Sequence, residues 1–584
     1  MTIILIIFSA AVSLVCGYFL YGRWLGTKLF SLNAMFVVPS IEFRDEHDFV
    51  PTPTPIVFGH HFTSIAGTGP IVGPALAIMW GWGPALIWVI LGSIFIGGMH
   101  DMAVLVVSLR NRGMTIGEIA GRLLNPRVRL LFLVLLLFAL WVVLAIFGWV
   151  IANVFVQFPE AILPVFLQIP IAILIGTQVH RKGRSLRGPS IVALVCMYAT
   201  VWLGAGCPGT TWTGGSLGAA IQEMNFFIAA WPIWLWVAIL LSYCYVASVL
   251  PVWILLQPRD FINSLQLISS LGLVVVGLFV TAVVGSSSIS SGVEPPALTM
   301  FAPFLDLHPL NAPPIFPFLF VTIGCGAVSG FHCLVSSGTS SKQLRCETDA
   351  RAVGYGSMLL EGFLAVLVII AVGAGIGLGW PEEYPGLSGT QLWQVLYADW
   401  KGVTGGKAIA AFVVGSGNFL ESLGIHATMS RAIIGVLVAS FAGTTLDTAT
   451  RLQRYVVQEL ARTLLNSVPA SLKVSSSVSL VTQPLNWLTT AHGATLFAVT
   501  TAFGLAMVPA PGKSWSLETI GTGGLILWPL FGATNQLLAG LSLLVVSFYL
   551  RRRQLPTWIT SIPMVFMLAI PAWALIYNID AWLS

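Results

Sequence analysis

Apolar positions in this chain come in long, unbroken runs rather than in an alternating pattern. Runs of spanning length lie at about 3–22, 57–80, 84–109, 129–157, 162–180, 190–206, 226–256, 261–285, 315–337, 354–379, 406–445, 490–509, 517–550 and 558–577. Each is near or above the roughly 20 residues an α-helix needs to cross a bilayer. A transmembrane barrel would instead show short alternating segments. The pattern therefore predicts an all-α polytopic membrane protein. Runs 406–445 and 517–550 are too long for one simple span, so each reads as a span plus a re-entrant piece, giving about 14 to 16 crossings. The run from Thr2 to Leu20 lacks a basic flank and a cleavage site and reads as a retained helix. Between the last two groups of runs, Leu452, Tyr455, Val456 and Leu460 share one helical face, with Arg451, Arg454, Gln458 and Arg462 elsewhere. That stretch predicts a cytoplasmic interfacial helix.

Composition agrees with a membrane location. The chain has 584 residues, 57% apolar and 8% charged, with mean hydropathy +0.90. A soluble domain carries roughly 25% charged residues, so a water-soluble globule is excluded. The net charge of +5 is concentrated in clusters: Arg110, Arg112, Arg122, Arg127 and Arg129; Arg181, Lys182, Arg184 and Arg187; and Arg551, Arg552 and Arg553. These are positive-inside signals and not a nucleic-acid surface. With the clusters in the cytoplasm, the N-terminus lies outside, segment 57–80 runs outward and segment 226–256 runs inward. Each heads a set of five spans, which is the arithmetic of an inverted repeat. The predicted organisation is an N-terminal extra span and loop (1–56), a first five-span repeat (57–206), a second (226–445), the interfacial helix (446–485) and C-terminal extra spans (486–584). The seven cysteines stand singly with no C-x-x-C, as small buried residues do.

Segment 57–80 is poor at being one helix. Gly67, Gly69 and Gly73 weaken it, and Pro70 and Pro74 lack backbone donors. A spanning helix is interrupted in lipid only where protein or a water-filled cavity satisfies the freed backbone groups. Such interruptions mark substrate and ion sites in secondary transporters, although small residues also serve close helix packing. Gly67, Thr68 and Gly69 are therefore candidate substrate-binding residues. Pro251 predicts a matching interruption at Ser248–Pro251, which makes Ser248 another. His60 and His61 point about 100° apart on a helix, so they do not chelate one metal together; one is expected to bond to a neighbouring helix and the other to titrate near neutral pH, and both are candidate substrate-binding residues. Intramembrane acids are costly and functional by default. Asp101 and Glu361, about two turns from their cytoplasmic ends, and the deeper Glu421 join His61 as coupling candidates. Arg259, Asp260, Glu347, Asp349, Arg351, Asp447 and Arg451 lie at inner ends of spans. They form either an inner gate or static anchors, with Asp447 and Arg451 spaced to pair at i,i+4. Gly512-Lys-Ser514 lacks the upstream glycine of a phosphate loop, and neither H-E-x-x-H nor G-x-S-x-G occurs. An ion gradient, not hydrolysis or a bound cofactor, is the expected energy source.

Several motifs together resemble the carbon starvation protein A family. They are Val38-Pro-Ser40, Asp48-Phe-Val-Pro51, the stretch Phe58 to Pro74, Tyr243 to Pro251 with Gln257-Pro-Arg-Asp260, and Ser329-Gly-Phe-His332 with Ser336-Ser-Gly-Thr339. Glu347-Thr-Asp-Ala-Arg351, Thr444-Thr-Leu-Asp447 and Phe531-Gly-Ala-Thr-Asn-Gln536 complete the set, and Cys346 departs from it where an Asn is expected. The resemblance implies a multi-pass protein of the bacterial inner membrane with a LeuT-type inverted repeat of five plus five spans, importing peptides, pyruvate or an amino acid. It adds His332 to the substrate-binding candidates. It also makes 315–337 the core span whose Ser336 and Ser337 hydroxyls could join the Ala66 and Gly67 carbonyls around Na⁺. Proton coupling is the alternative. A passive channel and an integral-membrane enzyme are the rival functions.

Overall fold

The computed structural model describes residues 2–45, 47–178, 187–208, 217–285, 296–403, 405–467, 476–509, 512–523 and 528–583. The arginine-rich loop at 181–186 and residues 286–295 of the loop that precedes the eleventh helix lie outside these. The principal helices are α1 (Thr2–Leu29), α2 (Thr54–Ile65), α3 (Gly69–Trp80), α4 (Trp82–Arg110), α5 (Pro126–Gln157), α6 (Pro159–Gly176), α7 (Gly188–Gly204), α8 (Leu217–Ala229) and α9 (Ile233–Val249). They continue with α10 (Leu256–Val284), α11 (Ile315–Thr322), α12 (Phe331–Gly338), α13 (Glu347–Leu378), α14 (Gly405–Glu421), α15 (Ala427–Ser467), α16 (Ala491–Ala506), α17 (Trp528–Arg552) and α18 (Trp558–Leu583). Among the described residues nine helices are long and apolar enough to cross a membrane, or eleven if each bent pair counts as one span.

Local sequence explains the ends. Asn125 caps α5 by accepting from the Arg127 and Val128 amides at 2.8 and 3.0 Å, and Pro126 occupies the first helical position. Burial then sorts core from periphery. The apolar window of α15 is 100% buried, while those of α1 and α18 are 28% and 33% buried. Thus α15 is the central element, packed along α5, and α1 and α18 face lipid.

Helices α2 and α3 form one bent span, with a 45° turn at residues 66–68, as expected. The second interruption is not at Ser248–Pro251. Helix α9 runs through Ser248 to Val249, and Pro251 stops it by holding Leu250 extended at φ −68°, ψ 150°. The other bent pair is α8–α9, which turn by 97° at residues 230–232. A further interruption lies in 315–338, where Ile323–Gly330 separates α11 from α12 and carries Gly324, Gly326 and Gly330. Residues 451–462 are not a separate interfacial helix; they continue the 41-residue α15, with Leu452, Gln453, Arg454, Val456 and Val457 buried. Run 406–445 resolves into α14 and α15, joined through Gly424 at φ +81°. Of run 517–550, only α17 from Trp528 is a described helix.

Candidate functional site

The two interrupted spans run antiparallel and meet at their breaks. Near one end, Val50 and Thr52, just before α2, donate to the carbonyls of Lys342 and Gln343, just after α12. At the other, a Cβ on Gly69 would lie 2.3 Å from Cys325 Sγ, and one on Gly73 would lie 2.5 Å from the Thr322 carbonyl oxygen. Only glycine permits that approach. A cavity of about 10 Å³ lined by Gly69, Thr322, Cys325 and Asn535 lies between them, with room for at most about one water. This conformation is closed around the breaks.

Neighbouring helices satisfy the freed backbone, as the apolar surroundings require. Asn535 on α17 accepts from the Phe331 amide through Oδ1 at 2.8 Å, and its own carbonyl accepts from the Gly330 amide at 3.0 Å. Gln536 donates to the Phe320 carbonyl at the end of α11. On the other side, Thr445 of α15 donates to the Ser64 carbonyl at 3.1 Å. The Thr68 hydroxyl, at the start of α3, is buried without a hydrogen-bond partner.

Beside the second break lies a chain of buried titratable groups. His100 Nδ1 is 2.7 Å from Asp101 Oδ1, and His332 Nδ1 is 2.8 Å from Asp101 Oδ2. His332 Nε2 lies 3.3 Å from Glu361 Oε2, and His100 Nε2 lies 2.5 Å from Ser542 Oγ. Helices α4, α12, α13 and α17 each contribute. The spacings allow a proton to pass along Glu361, His332, Asp101 and His100 by rotation and hydrogen-bond exchange. Both Glu361 oxygens lack a hydrogen bond, which leaves that carboxyl as the end of the chain able to take a new partner.

A second buried cluster lies nearer the basic ends of the spans. His60 pairs with Asp260 and Arg259 pairs with Asp447. The Tyr243 hydroxyl donates to Asp447 at 3.1 Å and accepts from Arg259 at 2.8 Å. Arg259 is 2% exposed, so a guanidinium does reach the buried interior beside α2. Further out, Arg110 binds Glu347 at 2.6 Å, Arg451 binds Asp48 at 3.0 Å and Thr54 donates to Asp349 at 2.7 Å.

These geometries revise several sequence expectations. Asp447 and Arg451 do not pair with each other, because Arg259 and Asp48 lie closer. Arg351 does not join the inner cluster; its guanidinium lies over the Tyr18 ring at 5.1 Å. Glu421 is not deep but ends α14, half-buried. Ser337 accepts from the Ile116 amide at 3.1 Å and donates to the Cys333 carbonyl at 2.7 Å, so it faces the short helix Ile116–Leu123. Ser336 is buried with an unpartnered hydroxyl. His61 sits 2.8 Å from Ser340, and Ser248 sits 3.4 Å from Thr495, away from the breaks. Among the described residues no group of three or more His, Cys, Asp or Glu side chains is placed to hold a metal. Sequence reasoning singled out Asp101, Glu361 and His332 separately, and left Ser542, Asn535 and Gln536 without a role. The Asn-Gln pair inside an apolar run was the available signal.

Comparison with known proteins gives the chain its family. The profile described as "Carbon starvation protein CstA" matches residues 2–376 and 398–574. The pyruvate/proton symporter BtsT of Escherichia coli (strain K12) is 29% identical over 625 residues, covering 98% of this chain and 81% of that protein. The peptide transporter CstA of Mycobacterium tuberculosis (strain ATCC 25618 / H37Rv) is 30% identical over 611 residues, covering 98% and 75%. The peptide transporter CstA of Escherichia coli (strain K12) is 29% identical over 587 residues, covering 94% and 78%. The chain belongs to the carbon starvation protein CstA family.

Proposed function

Proceeding from that membership, we propose that this chain is a secondary active transporter of the bacterial inner membrane that imports a pyruvate-like carboxylate or short peptides in symport with protons. The observation that carries the coupling is the buried chain Glu361–His332–Asp101–His100, in which His332 lies in the first turn of α12 after the break. Intramembrane carboxyls and imidazoles in close succession are the usual material of proton relays. Protons are favoured over Na⁺ because Ser337, one of the oxygens a cation cage would need, is turned towards the Ile116 amide on a neighbouring helix.

In a LeuT-type repeat of five plus five spans, the antiparallel interrupted spans α2–α3 and α11–α12 would be the first and eighth core spans, which face each other across the site without being symmetry mates. The substrate carboxylate would meet Gly67, Thr68 and Gly69 at the start of α3 and His332 across the gap. The Thr68 hydroxyl has no other partner there. Room for it requires the two breaks to part, which is the behaviour of a carrier and not of an open pore.

Uptake of labelled pyruvate and of labelled di- and tripeptides into proteoliposomes tests the reading. Accumulation should follow an imposed proton gradient at fixed Na⁺ and ignore a Na⁺ gradient at fixed pH. Glu361→Gln mimics the protonated carboxyl. It should abolish accumulation by tenfold or more while preserving counterflow of labelled for unlabelled substrate. Full accumulation by Glu361→Gln would remove the chain from the coupling mechanism.

A further inference from the structure

Of the inner-end residues that the sequence marks out, Arg351 alone turns away from the buried clusters. Its acidic neighbours are engaged elsewhere, Glu347 by Arg110 and Asp349 by Thr54. Its guanidinium carbon lies 5.1 Å from the centre of the Tyr18 ring on α1. A Cβ on Gly26 of α1 would lie 3.9 Å from Arg351 Cδ, so α1 leaves the side chain space to run alongside it. Among the described residues no carboxylate is in ion-pair distance of this guanidinium.

Directly outward from Arg351 is an open groove of about 460 Å³ between α1 and α13. Its walls include Val15, Tyr18 and Phe19 on one side and Gly356 and Phe363 on the other, and Phe58 of α2 forms part of its floor. The wall is almost wholly apolar. The volume is that of a small-molecule site. Val15 and Phe19 are exposed, and α1 is the least buried of the spanning helices, so the groove opens towards lipid. Arg23, also exposed, lies about one turn beyond Phe19 on the basic side. An apolar slot with cations only at its headgroup end has the polarity of an anionic lipid.

We propose that this groove binds one anionic phospholipid, with an acyl chain between α1 and α13 and its phosphodiester held at the inner end by Arg351 and Arg23. Guanidinium suits a phosphodiester because its planar donors match two phosphate oxygens. The chain would touch Phe58, two residues before His60, so the lipid contacts the first interrupted span itself. The inference rests on placement in a bilayer and is independent of which substrate is carried.

The test uses the full-length protein exchanged into nanodiscs of equimolar phosphatidylglycerol and phosphatidylcholine, followed by native mass spectrometry of the lipids retained. Wild type should retain phosphatidylglycerol over phosphatidylcholine. Arg351→Gln should lower the retained phosphatidylglycerol about fivefold, the scale of one basic residue near an anionic surface. Val15→Trp fills the groove from an exposed position that folding does not depend on. It should displace the lipid without altering the charge. Arg553→Gln, in a basic cluster elsewhere, should leave retention unchanged. Equal retention of the two lipids by wild type would overturn the proposal. So would undiminished phosphatidylglycerol in Arg351→Gln or Val15→Trp, or an equal loss in Arg553→Gln, which would mark a general surface attraction.

Discussion

Asp447 illustrates how a helical spacing rule fails inside a bundle. Arg451 stands one turn further along α15 at the favourable i,i+4 distance, yet Asp447 takes Arg259 from α10 and Arg451 takes Asp48. The rule describes exposed pairs, worth a few tenths of a kcal/mol. A buried carboxylate is governed instead by the cost of lacking a partner. Asp447→Asn should therefore destabilise the protein by about 3–5 kcal/mol, because it strands a buried guanidinium. The double variant Arg259→Met with Asp447→Leu should recover much of that loss in a thermal-shift assay. No recovery would mean that the pair does more than neutralise itself. Asp48, outside the spans, gives a pH signature. Burial alone would push its carboxyl up, but the His47 hydrogen bond, the Arg451 and Lys342 charges and the Tyr455 hydroxyl outweigh it and hold it well below the usual carboxylate range. A carboxyl lowered in the folded state contributes stability that is present above the unfolded value, about 3.9, and is lost as pH falls through the folded one. The stability gap between wild type and Asp48→Asn should be full at neutral pH and begin to close only below about pH 4. A gap that closes well above pH 4 would show that the Asp48 carboxyl is not the group responsible.

At the scale of elements, the first interruption was legible because three glycines and two prolines interrupt an apolar run. The second was misplaced by a single proline. Pro251 ends a helix, whereas Gly324, Gly326 and Gly330 open one, and sequence alone does not rank a stop against a break. The all-helical class and the long spans were legible for a simpler reason, since lipid forces backbone pairing within each segment. Partners were not legible. Nothing in the order of the chain announces that Asn535 closes the backbone of residues 329–331 some two hundred positions away. Asn535→Ala should leave the Phe331 amide and the Ser329 hydroxyl poorly paired and cost about 1–3 kcal/mol. It should reduce uptake more than it reduces the amount of folded protein. Gly73→Ala should act on the same junction from the other side, because its methyl would press on the Thr322 carbonyl. Wild-type uptake by Gly73→Ala would show that the two breaks do not need their close contact.

Across the whole molecule, the buried titratable chain and the inner ion pairs are carried by the same helices. On α4, Asp101 and Arg110 are nine residues apart, about 14 Å along the axis. On α13, Glu361 and Glu347 are likewise joined by one helical segment, and Arg110 and Glu347 bind each other at 2.6 Å. On the proposed proton symport, a proton that loosened Glu361 from His332 would change how α13 sits against α12, and that movement would reach the Arg110–Glu347 pair through continuous helix. Proton-coupled alternating access, as proposed, would use such a connection: the inner pairs would open once the titratable chain had delivered its charge and hold before that. Cys325 reports on this because it lines the small cavity between the breaks. In a variant that keeps Cys325 as its single cysteine, labelling by a membrane-impermeant thiol reagent should be slow from both faces. Arg110→Gln should accelerate labelling from the cytoplasmic face alone, severalfold, and lower accumulation by holding the carrier inward-open. Adding Glu361→Gln should leave that acceleration in place, since it acts upstream of the pair. Acceleration from both faces at once would describe a continuous pore and would favour a channel over a carrier.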